Sequence, residues 1–153
     1  MPQQKNRTII LNILLFFLIL TLLYPQTLSV IDTLATSLTA PEYDFITQSE
    51  SILVLIVMVL ETITIVFNIL ILHWIYKFSN LEYALYENIF IYMFSAFFSK
   101  VASLIMPIHF AAFPSIIFSI VFLTLHFKLK DLTKGQLIWI FVFPVLNIIF
   151  YII

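Results

Sequence analysis

The sequence predicts an all-α protein built into a membrane: a polytopic bundle of five transmembrane helices, N-terminus in the cytosol and C-terminus outside. Of its 153 residues, 63% are hydrophobic and 10% charged, whereas soluble domains run to about 45–50% apolar and about 25% charged. Mean hydropathy is +1.13, and a soluble domain of this length still leaves roughly a third of its unfolded surface in water. The apolar residues also fall into stretches close to the roughly 20 residues that a helix needs to cross about 30 Å of hydrocarbon. Backbone groups in lipid must be satisfied within their own segment, so these stretches are helices.

Span one covers about residues 8–30, with Pro25 near its outer end. Lys5 and Arg7 followed by an apolar run resemble a secretory signal. The run is longer than the about 7–15 residues of a signal core, and Tyr24-Pro25-Gln26-Thr27 is a poor cleavage site, so the segment is read as a retained span. Residues 31–50 form an outer acidic loop carrying Asp32, Glu42, Asp44 and Glu50. Span two runs over about 51–76, span three over 88–106, span four over 110–127 and span five over 136–153, all within a single membrane domain, 1–153. Between spans three and four no charge marks a loop, but Pro107 and Pro114 bracket the join and bias the residues before them away from helix. A single kinked helix there would need about 40 residues, more than a tilted span can use.

Orientation follows from the basic residues. Lys5, Arg7, Lys77, Lys128, Lys130 and Lys134 all fall on one side of the five-span arrangement, and the other side has no Lys or Arg. Cytosolic loops hold the excess of basic residues, so this side is the cytosol.

Two ionisable residues sit inside spans: Glu61 in span two and Lys100 in span three. Each alone costs at least about 2.5–3.5 kcal/mol at the bilayer centre. Glu61 lies about 15 Å below Ser51 and Lys100 about 10 Å below Pro107, so antiparallel neighbouring spans can pair them. Thr64 and Asn68 follow Glu61 at i+3 and i+7 and extend a polar stripe on one face. Ser95, Ser99 and Ser103 recur every four residues on span three, a small-residue stripe that lets helices approach closely. Asn12, Asn147 and Pro144 are isolated polar or backbone features. Two readings of the stripe stand: a proton- or ion-coupled path titrating at Glu61, or an ion pair and hydrogen bonds that fix helix register. The second is favoured, because a transport path uses several midplane acids or histidines and only one acid is present.

Several function classes are excluded or disfavoured. A net charge of −1 offers no basic face for nucleic acid. Without cysteine there is no disulfide, thiolate nucleophile or thiolate metal site. A single glycine, Gly135, rules out a phosphate-cradling loop and the Gly-x-Ser-x-Gly motif. His73, His109 and His126 lack metal-ligand spacing, so no metal, cofactor or catalytic residue is expected and the chain is read as a non-enzyme. Trp74, Tyr76, Tyr83, Tyr86, Trp139 and Tyr151 fall near the proposed interfaces and are read as headgroup-level anchors.

The segment from Phe78 to Ser95, FSNLEYALYENIFIYMFS, and the end of the chain, from Leu123 to the span containing Pro144, resemble the Yip family. These are Rab-interacting multispanning membrane proteins and their bacterial relatives. The resemblance spans roughly residues 50–153. It implies five spans, a cytosolic N-terminus, a short inner loop before span three and a tyrosine early in that span, matched by Tyr92. The chain departs from the family in lacking glycines in that loop and a proline inside span three. It also has only a few residues before span one. The resemblance implies an accessory or adaptor role, which in bacteria includes partners of ABC-type exporters.

The leading expectation is a non-enzymatic membrane protein that binds another membrane protein or a second copy of itself within the bilayer, with the serine stripe as docking face. An immunity protein against a membrane-active peptide or toxin is the alternative, for which the acidic outer loop is suited. A small transporter is the third, disfavoured by the few midplane polar groups. Rich Ile and Phe usage fits an AT-rich bacterial source and hence a bacterial plasma membrane.

Overall fold

The computed structural model describes residues 2–35, 40–81, 84–105, 113–129 and 131–152, and among them every regular element is helical. The helices are α1 (Pro2–Ala35), α2 (Ala40–Phe78), α3 (Leu85–Ile105), α4 (Phe113–Leu129) and α5 (Lys134–Ile152). Three contain stretches long and apolar enough to cross a membrane, Gln4–Thr33, Gln48–Phe78 and Leu85–Ile105. Helices α4 and α5 contribute shorter apolar segments, Phe113–Lys128 and Lys134–Leu146. The join around Pro107 and His109, Lys130 and Tyr83 lie outside the described residues, as do the side chains of Glu42, Asp44, Asn147 and Tyr151.

The first two helices run further than the apolar spans that announce them. Helix continues through Asp32 to Ala35 and resumes at Ala40, inside the segment expected as an outer loop. The physical reason is that acidic residues end an apolar run without ending a helix. No glycine interrupts residues 31–50, and Pro41 sits in the first turn of α2, where its missing N–H costs nothing. With 34 and 39 residues, α1 and α2 are about 50 and about 60 Å long, well beyond a bilayer core.

Helix ends at the opposite side are set by side-chain chemistry. At the end of α2, Asn80 adopts the left-handed conformation (φ 53°). Its N–H donates to Lys77 O at 3.4 Å and that of Leu81 to Tyr76 O at 2.9 Å, the paired bonds of a Schellman stop. Buried Leu81 and Tyr76 supply the apolar contact that goes with it. Ahead of α3, Glu87 accepts the Ala84 N–H at 3.0 Å. Ahead of α5, Thr133 and Gln136 form a capping box: Gln136 Oε1 accepts the Thr133 N–H at 3.0 Å and the Gln136 N–H donates to Thr133 Oγ1 at 3.4 Å.

Helix α3 is the centre of the bundle, packed most closely against α4 and α1. Asn12 Nδ2 donates to Tyr86 O at 2.9 Å and Gln26 Nε2 to Lys100 O at 3.3 Å, a constant offset of 74 that makes α1 and α3 parallel. Contacts between α2 and α3 run the other way, pairing Asn68 with Tyr92 and Glu61 with Lys100, so these helices are antiparallel. Tyr92, Phe118 and Phe143 form an aromatic knot with ring centroids 5.7–6.3 Å apart.

Burial is one-sided on the long helices. Helix α1 buries Asn12, Leu15, Ile19, Leu23 and Thr27, a single stripe at three- and four-residue spacing, while Ile10, Leu14, Phe17 and Leu18 stay exposed. The accessible surface is 10242 Å², against about 8,000 Å² for a compact soluble monomer of this mass. Many large apolar side chains lie on that surface, Ile10, Phe17, Ile52 and Phe67 among them, as suits a chain with helices long and apolar enough to cross a membrane.

Candidate functional site: the polar contacts of α2

The inward stripe of α2 carries polar side chains at intervals that keep them on one side of the helix. Glu61 Oε1 accepts from Lys100 Nζ at 3.0 Å, and the two side chains are 23% and 21% exposed. One helical turn above Lys100, Ser103 Oγ donates to Lys100 O at 2.7 Å, and Gln26 of α1 bonds both that carbonyl and the Ser103 hydroxyl. Three helices therefore meet at this charged centre. Two turns further along α2, Asn68 Nδ2 donates to the Tyr92 hydroxyl at 3.1 Å.

Thr64 does not join them. It is exposed, and its hydroxyl donates to Leu60 O at 2.9 Å on its own helix. A hydroxyl in apolar surroundings closes on the carbonyl four residues back when no other acceptor is near, as Thr27, Ser95 and Ser119 also do.

Nearer the C-terminal end of α2, Tyr76 is 1% exposed and bonds His126 of α4, itself fully buried. His126 Nδ1 lies 2.7 Å from Phe122 O. A carbonyl only accepts, so Nδ1 carries the proton and Nε2 takes the Tyr76 O–H. Both ring nitrogens are engaged, leaving His126 no lone pair for a metal or a substrate. Tyr76 is thus a core residue rather than a headgroup anchor. Trp74 and Trp139, 63% and 44% exposed, have the accessibility that anchoring requires. On the neighbouring face, His73 Nδ1 lies 3.0 Å from Asn88 Nδ2.

The serine stripe of α3 is engaged inside the bundle. Ser95 is fully buried, Ser99 half-buried, and Ser103 bonded to Gln26. A small-residue stripe permits close helix approach, and here the approaching helix belongs to the same chain. Ser95 and Ser103 are thus taken up within the chain, while Ser99 keeps part of its surface exposed. Among the described residues no group of three His, Asp or Glu could hold a metal ion.

The Tyr76–His126 bond, the role of Gln26 and the His73–Asn88 contact are not anticipated by the sequence reading, which takes Tyr76 as a headgroup anchor and the histidines as isolated. Tyr76 had a findable signal, since it continues the Glu61 and Asn68 side of α2 by two further turns. Gln26 had none, because its partner depends on the register of α1 on α3.

No protein-family model, curated protein or solved structure matches this chain.

Proposed function

We propose that the chain spans the plasma membrane of a bacterium five times, N-terminus in the cytosol and C-terminus outside, and acts without catalysis as an accessory subunit that binds another membrane protein. The observation that carries this reading is the two-sidedness of α2. Its polar residues Glu61, Asn68 and Tyr76 each close on a partner within the bundle. Its outward face, including Ile52, Leu55, Val59, Ile63, Phe67 and Leu70, is apolar and exposed. The first feature leaves few groups for moving a polar substrate, and the second offers a long face to lipid or to a partner helix. The resemblance of residues 50–153 to the Yip family points to the same role.

Orientation rests on charge. Lys77, Lys128 and Lys134 gather at the end of the bundle where Tyr76 meets His126 and Gln136 meets Asn80. Lys5 and Arg7 join that end through the Asn12–Tyr86 contact. Exposed Asp32 lies toward the opposite end of α1.

The test is purification in mild detergent. The expected result is one multispanning partner at fixed stoichiometry, lost when Ile63 and Phe67 are both replaced by alanine with helicity unchanged. A chain that purifies alone, and in liposomes conducts ions in a manner abolished by Glu61→Gln, would instead be a transporter. The second reading, an immunity protein, draws on the acidic outer ends of α1 and α2, which carry Asp32 and Glu50 without any Lys or Arg. Protection of cells against a cationic membrane-active peptide, reduced by Asp32→Asn and Glu50→Gln, would favour it over the accessory role.

A further inference from the structure

We draw no further inference here: the strongest candidate, the open apolar groove between α1, α2 and α3 lined in part by Ile9, Phe16, Ile65 and Met93, carries nothing because nothing in the structure shows what covers it.

Discussion

Lys100 of α3 holds its ammonium 3.0 Å from the Glu61 carboxylate of α2, and each side chain keeps about a fifth of its surface exposed. The pair is neither sealed in the core nor free in solvent. Its partners on either side, Gln26 and Ser103, use their hydrogen bonds on the α3 backbone and on each other. Among the described residues, the ion pair is therefore the principal polar tie between α2 and the C-terminal half of α3.

Breaking one side of that pair leaves the other charge without compensation. Glu61→Gln or Lys100→Met should lower stability by about 1–3 kcal/mol, less than for a fully buried pair because both groups are partly exposed. The double substitution Glu61→Leu with Lys100→Leu should cost less than either single change. Unfolding in detergent with increasing SDS measures all three. A double variant weaker than both singles would show that the pair is not what the singles disturb.

Tyr76 and His126 couple the C-terminal ends of α2 and α4. Tyr76→Phe removes the O–H that Nε2 of His126 receives and leaves a buried acceptor unmet, at a cost of about 1–3 kcal/mol. In a His126→Leu background the same substitution should cost markedly less. The double-mutant cycle reads the coupling directly, and additive effects would argue against the hydrogen bond.

Gln136 serves two turns at once. Its Oε1 caps α5 through Thr133, and its Nε2 donates to Asn80 O at 3.3 Å in the α2–α3 turn. Gln136→Glu keeps the cap and removes the donor, whereas Thr133→Ala removes a cap acceptor and keeps the donor. The expected losses are about 1 kcal/mol for each, and Gln136→Ala should exceed both. Thermal melts in detergent, followed by helical circular dichroism, check the order.

Much of this architecture is legible in the sequence because lipid imposes simple rules. Apolar length announces helices, and Glu61 and Lys100 announce one another because neither is tolerated alone at depth. What escapes is set by register. The Asn12–Tyr86 and Gln26–Lys100 bonds exist because α1 lies parallel to α3 with one fixed offset, and no local pattern encodes that offset. Helix ends escape for a different reason. Hydropathy falls at Asp32, yet nothing between Ile31 and Ala35 breaks a helix, so apolar length underestimates α1. The capping box at Thr133 and Gln136, by contrast, is a four-residue signal just before an apolar run and could have been read directly.

Topology is the claim on which the rest depends. A reporter active only in the cytosol, fused in turn to each terminus, tests it most directly. Five spans with the basic end inside predict activity at the N-terminal fusion and none at the C-terminal one. Activity at both termini would mean an even number of crossings and would contradict the five-span arrangement.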